Sequence, residues 1–182
     1  MATKTDSKQP NDYLSPLVMN RLRGRVLRLP APRGKNREIL LIYGQHASLE
    51  RYWELALELN QYGAVTIPDL PGLGGMTSFY KIGVKPTIDV LADYLAAFVK
   101  LRYKRRKVTI MGLGLGFVVV TRMLQRCPDL AKNVELVVSL RGYAHTSDLV
   151  SRPRGPLAHL SPRLFSWKPA AHFYKNLFLH RG

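Results

Sequence analysis

Residues Val108–Thr121 read VTIMGLGLGFVVVT, and the fold of the chain turns on the five residues Gly112-Leu113-Gly114-Leu115-Gly116 inside that stretch. A short apolar run, Val108–Met111, leads into the glycines, and a longer apolar run leaves them and ends before Pro128. The short run suits a buried strand, the long run suits a helix, and the glycines mark a tight strand-to-helix turn. The helix expected over Leu115–Arg126 carries Phe117, Val118, Val119, Val120, Met123 and Leu124 almost all round, which predicts packing on more than one side. Such a turn has three readings: a purely structural turn, a phosphate-binding turn and the elbow of a nucleophile. Phosphate binding fits poorly. A dinucleotide fingerprint needs Gly or Ala where Phe117 stands and an acid after the next strand, where Arg141 stands. No Gly-Lys-Ser/Thr follows to make a P-loop.

Working outward, the same strand and helix alternation recurs on both sides. Val26, Leu27 and Leu29 form a short strand candidate, and Glu38–Tyr43 is a continuous apolar run suited to a buried strand; we expect these two to pair as a hairpin. Ser48 caps a helix to about Gln61, with Leu49, Trp53, Ala56 and Leu57 on its buried face and Glu50, Glu54 and Glu58 facing solvent. Ala64–Ile67 is the next strand. Thr87 then caps a helix buried through Ile88, Leu91, Leu95, Phe98 and Val99, with Lys100–Lys107 at its carboxyl end, and Val134–Leu140 is a strand after the glycine-turn helix. Strands that alternate with helices and read as continuous apolar runs predict an α/β fold, a mostly parallel sheet with helices on both faces.

Two further segments sit after strands in the same order. Tyr43-Gly44-Gln45-His46-Ala47-Ser48 follows one buried strand, and Asp69-Leu70-Pro71-Gly72-Leu73-Gly74 follows the next. The first resembles the H-G-x-x-x-S stretch of the α/β-hydrolases, the second their D-x-P-G-x-G loop, and the glycine turn resembles their G-x-S-x-G nucleophile elbow. The resemblance covers roughly residues 26–148. It implies a serine-type hydrolase acting on esters or related acyl compounds, with no cofactor, whose oxyanion site uses backbone amides near Gly44, Gln45 and Leu115. His46 and Asp69 are candidate binding residues on the same ground.

The departures from that pattern bear on chemistry. Tyr43 stands in place of the family's histidine, and Gly114 stands where the nucleophile serine would be, with no Ser, Cys or Asp elsewhere in the turn. The family's acid and histidine follow the nucleophile on later strands, and the sequence reads as ending before the last strands of such a fold. His145 and Asp148 are the remaining candidates for a shortened acid and base pair, although a base needs a nucleophile within reach. The expectation is a truncated, catalytically impaired relative, with residues 1–24 a flexible basic arm, 25–148 the core and 149–182 a partial helical cap or tail.

The formal charge of +16, from 28 Lys and Arg against 12 Asp and Glu, suggests anionic partners. After Ser151 six basic residues occur with no acid, interleaved with Phe165, Trp167, Phe173, Tyr174 and Phe178. Three partner readings follow: a small ester-like ligand, self-association through those aromatics, and, as the alternative function, nucleic acid or an acidic membrane surface bound by the basic tail. No apolar run reaches the roughly 20 residues of a membrane span. The polar start of the chain does not resemble a secretory signal, so a cytoplasmic address is expected. Cys127 is the only cysteine, which excludes an intrachain disulfide, and His159, His172 and His180 lack acidic neighbours that would suggest a metal site.

Overall fold

The computed structural model describes residues 9–44, 48–104 and 106–140. They belong to the first of two compact units, residues 1–144; the second unit, 145–182, lies outside the described residues, as do the expected cap and its aromatics. The described chain runs β1 (Leu14–Met19), β2 (Leu22–Leu29), β3 (Arg37–Ile42), α1 (Trp53–Asn60), β4 (Gly63–Pro68), α2 (Ile88–Tyr103), β5 (Val108–Leu113), α3 (Leu115–Arg126) and β6 (Val134–Leu140). The strands form one sheet in the order β1-β2-β4-β3-β5-β6, with β4, β3, β5 and β6 parallel and β1 and β2 antiparallel. The α/β class and the mostly parallel sheet agree with the sequence.

Two expectations fail. Regular structure begins well before Arg25: residues 14–29 form a hairpin in which Met19 faces Leu22 across the two-residue turn Asn20-Arg21. Both turn residues have positive φ, 50° and 64°, the geometry of the tight turns that match strand twist. Asn tolerates that conformation and Arg does so less readily, so the turn carries no glycine signal. Pro16 is accommodated because β1 pairs only with β2. The second correction concerns β2 and β3. They are not hairpin partners: β2 pairs with β4, and β3 lies between β4 and β5.

Alternation along the strands divides the core between the two faces of the sheet. On β3, Leu40 and Ile42 join Val108 and Ile110 of β5 under α2 and α3, whereas Ile39, Leu41 and Tyr43 join Val65 and Ile67 of β4 under α1. Leu91, Leu95, Phe98 and Val99 of α2 are buried as expected, as are Leu49, Trp53 and Ala56 around α1. α3 is less enclosed than its composition suggests. Val119, Val120 and Met123 are buried, while Phe117, Val118 and Leu124 are half-buried. A charged ladder ties α3 to α2: Arg122 Nε lies 2.6 Å from Asp89 Oδ1, and Arg126 Nε 2.8 Å from Asp93 Oδ1. The Arg122 hydrogen bond holds the Asp89 carboxyl below its ordinary range.

Candidate active site

The parallel strands deliver their carboxyl ends, and the loops that follow them, to one edge of the sheet. There β5 passes through the glycine turn into α3. Gly114 has φ 51° and ψ −117°, a backbone that a residue with a side chain enters only under strain. Its amide donates to the Leu140 carbonyl at the end of β6 at 3.3 Å, and its own carbonyl accepts from Phe117 N at 3.0 Å, closing the first turn of α3. Both flanking glycines are required by close approach. A Cβ at Gly112 would lie 2.5 Å from Phe117 Cα, and one at Gly116 would lie 2.2 Å from the Ile42 carbonyl oxygen. The turn thus has the form of a nucleophile elbow, and its central residue has no side chain to present.

Gly44 stands beside this turn. A Cβ on it would sit 3.1 Å from the Leu115 amide nitrogen, so the end of β3 and the first amide of α3 share one small volume. The Leu115 amide is among the first of the helix, which lack acceptors within it, and the helix dipole adds positive potential at that end. Gln45 and His46, the other two residues expected here, lie outside the described residues.

Asp69 has a different role from the one expected. It is fully buried and takes no part in an open site. Its Oδ1 accepts from Tyr43 Oη at 2.5 Å, and its Oδ2 accepts from Arg25 N at 3.1 Å and Arg25 Nε at 3.4 Å, while the Asp69 amide donates to the Arg25 carbonyl at 2.9 Å. Arg25 extends the network to Glu50 at 2.5 Å. The loop after β4 folds tightly over these groups. Gly74, at φ 61°, passes so close that a Cβ would come within 2.0 Å of Tyr43 Oη. Burial first, and then the bond to Asp69, push the Tyr43 hydroxyl far above the ordinary tyrosine range, so it stays a proton donor. Tyr43 in the position of a histidine therefore serves as an anchor for the loop.

A cavity of about 470 Å³ opens beside the elbow, lined by Pro71, Leu73, Tyr80, Ile88, Leu91 and Leu115 among others. The hydroxyls of Ser78 and Thr87 also border it, and both act as caps, accepting from Tyr80 N at 3.4 Å and Val90 N at 3.2 Å. Sequence reading found Leu115 and the loop glycines but missed the wall from Ser78 to Leu91. The missed signal was the run of turn residues before Thr87, which only the tertiary fold brings under the loop. None of the five histidines lies among the described residues, and no group of three or more metal-ligating side chains occurs among them.

Solved structures of hydrolases share this fold. A probable hydrolytic enzyme from Pseudomonas aeruginosa superposes with TM-score 0.62 at 19% identity, over 89% of this chain and 52% of that one. A putative lipase from Acinetobacter baumannii gives 0.59 at 22% identity, over 90% and 52%. The N-formylmaleamic acid deformylase of Pseudomonas putida gives 0.60 at 16% identity, over 86% and 62%. The chain has the α/β-hydrolase fold. It spans roughly half to three fifths of the length of these three neighbours. No family model and no curated protein matches the sequence. No helix among the described residues is long and apolar enough to cross a membrane.

Proposed function

We propose that this chain is a serine-less member of the α/β-hydrolases that holds small ester-like or acyl ligands beside its elbow and is impaired in hydrolysing them. The observation that carries this reading is Gly114, which holds the strained elbow backbone at the nucleophile's place without a hydroxyl. The cavity next to Leu115 supports a ligand of this kind, because its wall is mainly apolar and small enough for a short acyl chain. A carbonyl oxygen placed between Gly44 and Leu115 would be polarised by backbone dipoles, but that stabilisation alone breaks no bond. Acyl transfer also needs an attacking atom and a base to take its proton. The neighbours' names, a lipase, a deformylase and a hydrolytic enzyme, favour an acyl-type ligand for the shared site.

The binding half of this proposal is tested by ligand-observed NMR with p-nitrophenyl butyrate. Saturable binding is expected, and Ile88→Trp, which fills the cavity from its wall, should remove it while leaving the thermal transition in place. Absence of saturation, or binding unchanged in Ile88→Trp, contradicts the proposal.

A further inference from the structure

The opposite edge of the sheet, where the parallel strands begin, has its own recess. A cavity of about 330 Å³ is lined by Asn36, Arg37, Arg106, Lys107 and Glu135. Its walls come from the starts of β3 and β6 and from the connection between α2 and β5. Lys35, Lys104 and Lys132 stand exposed on the surrounding loops. The acids of this end are largely engaged: Glu38 is buried and paired with Arg106, and Asp129 pairs with Lys132 at 3.1 Å.

Helix-end compensation accounts for the basic residues in the last turn of α2, Lys100 and Arg102. It does not account for Arg37 and Lys107, which flank strand starts. The cations also crowd one another. Arg102 is pushed below its ordinary value by burial first and by Arg28 next, and its buried Nη2 has no hydrogen-bond partner among the described residues. A concave polar surface where Arg37, Arg106 and Lys107 outweigh Glu38 and Glu135 keeps a net positive charge and concentrates anions.

We propose that this recess seats a backbone phosphate of single-stranded nucleic acid, held by Arg37, Arg106 and Lys107. The neighbouring ring of Tyr62 supplies a stacking surface. Tyr62 is 55% exposed and directly precedes Gly63, the register partner of Arg37. An exposed aromatic beside cations that track a backbone is the combination that binds single strands without base readout. A lipid surface is disfavoured because every residue lining the recess is polar or charged, leaving nothing to enter the acyl layer. Glu135 lies on the same wall and opposes an incoming phosphate, so it sets an upper limit on affinity.

Fluorescence anisotropy of a labelled oligouridine with the full chain tests the assignment. Binding should weaken with salt, at a log–log slope of about −0.7 for each phosphate neutralised. The double variant Arg37→Gln/Lys107→Gln should lose on the order of tenfold in affinity and flatten the slope by about 0.7, the share of that one phosphate. Tyr62→Ala should weaken binding with the slope unchanged, and Glu135→Gln should tighten it. Lys81→Gln/Lys85→Gln, far from the recess, should change nothing. An unchanged thermal transition in each variant separates loss of contacts from loss of fold. The proposal is overturned if oligouridine does not bind at low salt, or if phosphatidylserine vesicles bind and oligouridine does not. It is equally overturned if the recess variants keep full affinity while Arg163→Gln/Lys168→Gln abolishes it.

Discussion

The glycine turn at Gly112–Gly116 and the loop at Asp69–Gly75 use glycine for opposite ends. In the turn, glycine shapes the main chain: Gly112 and Gly116 let a strand and a helix approach to within contact, and Gly114 bends the chain where no side chain follows. In the loop, glycine makes room for other side chains, because Gly74 lets the chain close over the bond between Tyr43 and Asp69. One motif shapes the backbone and presents no side chain at its centre. The other keeps its acid and uses it to hold the fold. Both segments are held by interactions that do not involve a nucleophile.

That contrast can be broken most forcefully at Gly116. Gly116→Ala drives a methyl into the Ile42 carbonyl, backbone that cannot rotate aside, and should lower stability by about 3 kcal/mol or more in denaturant titration. Tyr43→Phe comes next. It leaves a buried carboxylate oxygen without its donor and should cost about 2 kcal/mol by the same measurement. Gly114→Ala introduces the strain of positive φ, expected at about 1 kcal/mol. A ranking in which Gly114→Ala is the most damaging of the three would mean that the turn, and not its flanks, limits packing.

The smallest effect is alkaline. Burial raises the hydroxyls of Tyr43 and Tyr94 well above the ordinary value near 10 and pushes Tyr103 up to about 12. A raised folded pKa favours the protonated form in the native state. The stabilisation is therefore complete below pH about 10 and is lost as pH rises toward the folded values. Thermal stability should fall between pH about 10 and 12, and Tyr103→Phe should flatten that fall while tyrosinate absorbance shows its ring absent from the late-titrating set.

Much of this was legible in sequence, for physical reasons that differ by element. The strands around Ile39–Ile42 and Val108–Met111 announce themselves because both their faces are largely buried, so the runs are apolar apart from the buried Thr109. The elbow announces itself because close approach leaves only glycine at Gly112 and Gly116. The hairpin of residues 14–29 did not, since Asn20-Arg21 adopts a turn that usually displays glycine, and the polar residues of β1 and β2 face solvent at the sheet's edge. Asp69 was read as facing a ligand because a motif fixes position along the chain but not the direction of a side chain. That direction depends on Arg25 and Tyr43, 44 and 26 residues away. The cavity wall from Ser78 to Leu91 and the basic recess have the same origin, both assembled from segments distant in sequence.

Steady-state turnover of p-nitrophenyl butyrate tests the proposed serine-less site most directly. The purified chain should release p-nitrophenol no faster than buffer, and Gly114→Ala should leave that rate unchanged. Turnover well above buffer that disappears in a folded Gly114→Ala variant would contradict it.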